Sequence, residues 1–314
     1  MKKQLLIAAV AATMTSAAIA DISITGNMKV NYTNTDTNGT VTNQVGHEAN
    51  LALTGKTGNT TVHVEMALDD DNKDATEQGT VKLEDVHLTT TIGDVKLKTG
   101  TWNGSDTILD KDSDRTAGNY IVSTTMSGVA MSVEGDTEEA STSVKLAGSV
   151  SGVDLSYKAK ATQDEVTLAT TVAGVSIAYA NIDADAADSD KSSLSLGYAV
   201  NGFDLSYVTA DADASAVISG DSYFGNVATF KTPMAGGDDI SGFGVKTSLA
   251  GNTVQLKSFT MEDASASADV DFIKVVATRA LAGGTTLEVT YTDEDSTTAT
   301  DDRETFDVEL AVKF

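Results

Sequence analysis

Short stretches in which apolar and polar residues alternate recur along most of the chain. In the last of them, residues 306–314, every second position is apolar: Phe306, Val308, Leu310, Val312 and Phe314. A period of two places these side chains on one face of a β-strand and the others on the opposite face. A soluble domain would leave such a strand open to aggregation at its edge, whereas a closed membrane barrel would use it to seal the sheet.

A unit of six residues that begins with glycine repeats in the middle of the chain. It reads GVDLSY at 152–157, GVSIAY at 174–179 and GFDLSY at 202–207, with a weaker copy, GVAMSV, at 128–133. The first, third and fifth residues after each glycine are apolar, and those between them are mostly polar or small. Each unit predicts a half-apolar strand that leaves a tight turn, so successive units predict successive hairpins.

Short turns alternate with longer acidic connections, and the turns provide a strand count. The longer connections cover 69–79, 183–191, 211–240 and 293–302. The eight short turns are Gly58–Asn59, Gly93–Asp94, Ser127–Gly128, Ser151–Gly152, Ala173–Gly174, Asn201–Gly202, Gly251–Asn252 and Gly283–Gly284. Eight hairpins, a first strand near Ile22–Tyr32 and the terminal strand make eighteen strands, or sixteen if one turn is misassigned. We therefore predict an all-β fold, a transmembrane antiparallel β-barrel of 16 to 18 strands.

The main alternative is a soluble secreted β-protein, such as an array of sandwiches or a solenoid. Its strands would also alternate, but a core of that size calls for fully apolar strands or many large aromatics. Here aromatic residues make up only 5% of the chain, and the strands remain half-polar throughout. A wide barrel needs no thick core, because its apolar face meets lipid and its polar face lines water.

The first twenty residues have the pattern of a secretory signal peptide. Lys2 and Lys3 precede the apolar stretch 5–12, and the triplet Ala18, Ile19, Ala20 forms an A-x-A cleavage site. The apolar stretch is shorter than the about 20 residues of a membrane-spanning helix. We expect a signal peptide at 1–20, removed after Ala20 on export through the periplasm, and a barrel domain at 21–314.

Charge and cysteine content narrow the class of partner. Without Lys2 and Lys3 the chain has 19 basic and 46 acidic residues, and 19 minus 46 is a formal charge of −27. Such an acidic chain is not expected to bind nucleic acid. It contains no cysteine, so neither disulfides nor thiol chemistry contribute, and we expect stability to come from hydrogen bonding and closure of the sheet.

The chain from Asp21 onward resembles the general porin family of Gram-negative bacteria, whose members are trimeric diffusion channels, and three stretches carry the resemblance most clearly. These are DISITGNMKVNY at 21–32, FDVELAVKF at 306–314, and GDVKLKTGTWNGSDTILDKDSDR at 93–115. The resemblance implies a homotrimer in the outer membrane that passes ions and small hydrophilic solutes. It also implies that Phe314 is read by the barrel-insertion machinery and that Lys29 points into the pore. Two departures are Thr101, where the family often has arginine, and the strand count, since the family resembles sixteen-stranded barrels.

A further segment, Asn103–Thr116, corresponds to the third loop of the family and stands out because an aliphatic pair lies inside an acidic stretch. Ile108 and Leu109 would pack on something dry, so we expect this third loop to fold inward, as it does in the family. The expected constriction then sets loop carboxylates against lysines of the early strands: Asp106, Asp110, Asp112 and Asp114 against Lys29, Lys96 and Lys98. Opposed charges across a narrow aqueous gap favour small polar solutes, and the acidic loops predict weak cation selectivity. An ordinary exposed loop is the alternative.

Histidines and acidic loops raise the question of metal or catalytic chemistry. His47, His63 and His87 fall on three successive predicted strands, but no serine, aspartate and histidine set with a recognisable spacing accompanies them. We predict no enzyme activity, no catalytic residue, no cofactor and no protein metal site. The acidic loops are expected to face lipopolysaccharide phosphates, with divalent cations as bridges. A substrate-specific channel, or a structural or adhesive barrel acting through 211–240, remain alternative functions.

Overall fold

A single closed sheet of eighteen antiparallel strands forms the protein. The computed structural model describes residues 21–70, 80–102, 109, 119–136, 142–213, 216, 239–262, 269–296 and 302–314. The strands are β1 Asp21–Thr37, β2 Thr40–Thr57, β3 Thr60–Asp70, β4 Thr80–Ile92, β5 Val95–Thr101, β6 Asn119–Met126, β7 Val129–Asp136, β8 Thr142–Val150, β9 Val153–Ala159, β10 Gln163–Val172, β11 Val175–Ala184, β12 Lys191–Val200, β13 Phe203–Ala212, β14 Asp239–Leu249, β15 Asn252–Glu262, β16 Val270–Ala280, β17 Thr285–Ser296 and β18 Arg303–Lys313. Within these ranges no helix is long and apolar enough to cross a membrane.

The eight predicted short turns all lie between strands that form hairpins, so eighteen is the strand count. Seven are where the sequence placed them, including the Gly283–Gly284 turn, which includes a short 3₁₀ segment. The turn predicted at Gly251–Asn252 is wrong by one residue: Ala250 and Gly251 have positive φ, and Asn252 already begins β15. All eight lie at one end of the barrel, the short-turn end, and the longer connections lie at the other, the long-loop end.

The barrel closes because β1 pairs with both β2 and β18. At the short-turn end Gly26 and Phe314 exchange two backbone hydrogen bonds, from Gly26 N to Phe314 O at 2.9 Å and from Phe314 N to Gly26 O at 3.0 Å. The Phe314 ring lies over Gly26, where an added Cβ would come within 2.6 Å of its Cζ. The alternating terminal strand therefore seals the sheet, as the sequence predicts.

The two faces of the sheet differ in chemistry around the whole barrel. On the outer face, side chains such as Ile24, Val30, Leu310 and Tyr207 remain exposed, as expected for a surface in contact with lipid. The lysines of the described strands project into the lumen by their register. Of the lysines and arginines in those strands, only Arg279 lies on the outward face, beside Leu287 of β17.

A dry layer inside the barrel is the largest departure from the sequence analysis, which anticipated a lumen without a core. It occupies the lumen face of β11 to β16 near the long-loop end, and its residues are nearly inaccessible to solvent. Its strand members are Ile182, Val208, Ala210, Ala212, Ile240, Phe259, Met261, Val270 and Phe272. Phe259 and Phe272 stack at 4.9 Å between ring centroids, and Phe259 covers Gly242, where any Cβ would collide with its ring. We call this set the lumen apolar layer.

Candidate functional site: the charged lumen

The early strands present their cations to the lumen. Lys29 on β1 forms an ion pair with Glu48 on β2, with 2.7 Å between Nζ and Oε2. Lys96 and Lys98 alternate with Val95 and Leu97 on β5 and lie opposite Thr91 and Thr89 of β4. Because Val95 and Leu97 have the outward phase of that strand, both lysines project into the aqueous interior.

A compact aromatic and cationic group stands beside Lys98 on the same wall. The Lys98 ammonium lies 4.1 Å from the centre of the Trp102 ring, a cation–π contact. Trp102 meets His87 edge-on at 6.0 Å between ring centroids, and His87 lies 5.0 Å from His63 on the neighbouring strand. The sequence could not show this grouping, because it depends on the cross-strand register and on the way the chain turns after β5.

Leu109 is the one residue between 103 and 118 that the structure describes, and it lies inside the barrel. Its side chain is 1% exposed and belongs to the lumen apolar layer of β11 to β16. Its carbonyl oxygen accepts a hydrogen bond of 3.0 Å from Lys191 Nζ on β12. The segment leaves the wall after Thr101, the last residue of β5, and rejoins it at Asn119 on β6, so Leu109 contacts a different part of the wall from the one that carries it.

The predicted loop carboxylates cannot be placed. Asp106, Asp110, Asp112 and Asp114, together with Ile108, lie outside the described residues. The burial of Leu109 supports the expectation that this loop docks on a dry surface inside the barrel. The opposition of loop carboxylates and wall lysines stays a prediction.

Cations also line a part of the wall that the sequence analysis passed over. Lys257 on β15 and Lys274 on β16 are register partners, one step below the stacked Phe259 and Phe272. Directly opposed like charges destabilise a sheet, and both lysines remain partly exposed in the lumen. In the sequence, alternation alone places both lysines on the inward face of their strands. It does not show that they lie side by side, because that depends on the register of β15 and β16.

A third cationic group lies on β8 and β9, where Lys145 and Lys158 are register partners. Lys158 forms an ion pair with Glu134 of β7, with 2.8 Å between Nζ and Oε2. Beyond it, small and hydroxylated residues of β9 to β13 leave a recess of about 520 Å³ that includes Asp154, Thr171 and Ser195. The lumen wall is therefore polar and charged on several sides, with a recess where the strand side chains are small.

Sequence comparison decides the family. The family profile described as Gram-negative porin matches residues 7–313, nearly the whole chain. The chain belongs to the Gram-negative porin family. The porin is accordingly an outer-membrane barrel of a family whose members are channels and not enzymes. No curated protein is significantly similar to it in sequence.

Solved outer-membrane porins share the architecture. Acinetobacter baumannii OccAB4 superposes with a TM-score of 0.67 at 13% identity, covering 93% of this chain and 98% of that one. Pseudomonas aeruginosa OccD3 (OpdP) reaches 0.66 at 10% identity, covering 95% and 92%. Pseudomonas aeruginosa OpdK, solved with vanillate, reaches 0.68 at 10% identity, covering 94% and 98%. At such low identities the likeness shows a shared fold.

Proposed function

We propose that the porin is a water-filled channel for passive diffusion of ions and small hydrophilic solutes, with weak cation selectivity. The observation that carries the proposal is the division of the barrel into two chemistries. The outer face is apolar and exposed, whereas the lumen face carries the ion pairs, lysines and hydroxyls described above. A polar lumen enclosed by a lipid-facing barrel is the arrangement that passes water-soluble solutes.

The constriction is proposed to lie where the third loop meets the lumen. Leu109 would hold the loop on the apolar layer, and Asp106, Asp110, Asp112 and Asp114 would face Lys29, Lys96 and Lys98 across the remaining water. A transverse field of this kind orders water and disfavours apolar solutes. The acidic excess of the whole chain, 46 acidic against 21 basic residues, supports a preference for cations at the channel mouth.

Replacing Lys98 with glutamate is expected to shift the reversal potential toward a stronger cation preference. The substitution exchanges a lumen cation for an anion, and it also removes the contact with Trp102. The measurement is the zero-current potential of single channels in a planar bilayer under a salt gradient. Arg279→Glu makes the same charge change on the outward phase of β16 and is the matched control. Equal shifts in both variants would remove Lys98 from the permeation path.

A substrate-specific channel is the second candidate, favoured by the paired lysines beside stacked phenylalanines on β15 and β16. OpdK was solved with vanillate, an aromatic carboxylate, and a comparable anion could bind Lys257 and Lys274. Small steps in conductance that a particular anion blocks at low concentration would select this candidate. Large ohmic steps insensitive to such solutes would select general diffusion.

Three partners complete the proposal. A homotrimer would give closures in thirds of the full conductance, and Phe314 is proposed to be read by the barrel-insertion machinery.

Lipopolysaccharide is proposed to lie against the long-loop end, with divalent cations bridging its phosphates to outward carboxylates. Asp211, Asp239 and Glu262 are successive register partners with this outward phase. Loss of lipopolysaccharide from the purified protein in a chelator would test the bridge.

A further inference from the structure

Two histidines face each other in the lumen wall without a role in the proposed diffusion. His63 on β3 and His87 on β4 are direct register partners, and both rings are partly exposed. Their ring centroids lie 5.0 Å apart with 33° between the ring planes. His47, by contrast, has the outward phase of β2, since its neighbour Glu48 pairs with Lys29 in the lumen.

The spacing of the two rings suits two ligands of one metal ion. A metal lies about 2.0–2.1 Å from a ligating nitrogen, and that nitrogen about 1.2 Å from its ring centre, so two imidazoles on one tetrahedral ion have ring centres about 5 Å apart. A cross-strand pair on a barrel wall holds both rings by the backbone register. This spacing is compatible with two histidines that share an ion after their side chains rotate toward it.

Neighbouring groups orient His63 and leave a nitrogen of His87 free. The hydroxyl of Thr54 and Nδ1 of His63 share a hydrogen bond of 3.0 Å, which directs the other ring nitrogen away from β2. That second nitrogen, Nε2, lies 3.8 Å from Oε2 of Glu65. Nδ1 of His87 is buried and has no hydrogen-bond partner in the structure. In metal sites, a hydrogen bond to the ring nitrogen that does not bind the metal, such as the one between Thr54 and His63, fixes the orientation of the ligating histidine.

We propose that His63 and His87 form a weak, exchangeable site for a borderline transition-metal ion. Within the described residues no group of three or more His, Cys, Asp and Glu side chains could hold a metal, so the protein supplies two nitrogens and water completes the coordination. Imidazole ligands bind Cu²⁺ more tightly than Zn²⁺ or Ni²⁺, and they do not favour Mg²⁺ or Ca²⁺. The nearby Lys98 ammonium repels every cation, so only an ion with affinity for imidazole is expected to bind between the two histidines.

Trp102 gives a direct readout of this site. It is the only tryptophan of the chain, and its ring centroid is 6.0 Å from that of His87. Bound Cu²⁺ is expected to quench its fluorescence in the refolded protein in detergent, with saturation as the site fills. Zn²⁺ is expected to compete with Cu²⁺ and reverse the quenching, and Mg²⁺ to have no effect.

The histidines themselves supply the matched variants. His63→Gln and His87→Gln are expected to weaken Cu²⁺ binding about tenfold or more, because each removes one of two protein ligands. His47→Gln removes an outward-facing histidine and is expected to bind as the unchanged protein does. Unheated electrophoresis checks that each variant is a folded barrel. Quenching that does not saturate, or that is the same in all four proteins, would overturn the site.

A conductance measurement tests whether the site lies on the permeation path. This second experiment rests on the proposed channel function. Cu²⁺ is expected to lower the single-channel current of the unchanged protein and of His47→Gln, but not of His63→Gln. Saturable quenching with an unaltered current would overturn the position on the path. A barrel that quenches but never conducts would overturn the proposed function while leaving the metal site intact.

Discussion

Leu109→Asp is expected to raise the single-channel conductance and to make the open current fluctuate. Leu109 is 1% exposed in the lumen apolar layer, and burying a leucine side chain is worth about 1.5–3 kcal/mol relative to leaving it exposed. A carboxylate in the same place would lose its hydration among apolar side chains, and the nearby Lys191 ammonium already donates to the backbone carbonyl of residue 109, so we expect the docked position to be destabilised. The loop is then expected to be undocked for most of the time, and the constriction proposed there is expected to widen.

Two further variants separate the docking of the loop from general damage to the barrel. Lys191→Met removes the hydrogen bond to the Leu109 carbonyl and is expected to have a smaller effect of the same sign, since a hydrogen bond from a charged donor contributes about 1.5–3 kcal/mol. Leu281→Asp changes a leucine that is 42% exposed near a short turn and is expected to conduct normally. Unchanged conductance in Leu109→Asp would show that this segment does not bound the pore.

Gly26→Ala is expected to weaken closure of the barrel. The new Cβ would lie 2.6 Å from Cζ of Phe314 and 2.7 Å from the backbone oxygen of Asn50, so the seam between β1 and β18 must shift. Overpacking of this kind typically costs about 1–3 kcal/mol, and here it also strains the two backbone hydrogen bonds between Gly26 and Phe314. The midpoint of urea unfolding in detergent should fall, together with the temperature at which the folded band disappears on electrophoresis.

Matched substitutions make this result specific to the seam. Gly148→Ala adds a methyl group whose nearest heavy atom is 3.5 Å away, an ordinary contact, and is expected to leave the midpoint unchanged. Combining Gly26→Ala with Phe314→Ala removes the ring that the methyl group meets, so the two effects should not add. Additive losses would show that the ring and Gly26 do not interact across the seam.

Gly26→Ala acts on the seam that closes the barrel, whereas Leu109→Asp acts on the contact between a loop residue and the lumen wall. Closure at the seam removes the free edges that an open sheet would expose to lipid. The lumen apolar layer then gives one side of the closed barrel a dry surface on which a loop residue can be held. We therefore expect separate mutations to change the stability of the barrel and the width of its pore. The urea midpoint measures the first, and the single-channel conductance measures the second.

The alternation of the strands and the chemistry of the turns were sufficient to predict the fold. Dipeptides that end in glycine, such as Ser151–Gly152 and Asn201–Gly202, mark turns because few residues other than glycine adopt positive φ. In the structure both residues of each dipeptide have positive φ. A period of two then assigns Lys29, Lys96 and Lys98 to the lumen. These are local properties, so they can be read along the chain without knowing which strands are neighbours.

Contacts between distant parts of the chain were decided by the tertiary structure alone. The ring contact of His63 with His87 and the cation–π contact of Lys98 with Trp102 depend on register and on the path of the chain after β5. The dry layer was hidden because neighbouring positions such as Phe272 and Ile273 are both apolar, and alternation cannot then say which of them faces the lumen and which the lipid. Leu109 and Lys191 lie 82 residues apart, and only closure of the barrel brings them together. Period two determines the face of a strand, but register and closure determine what lies opposite.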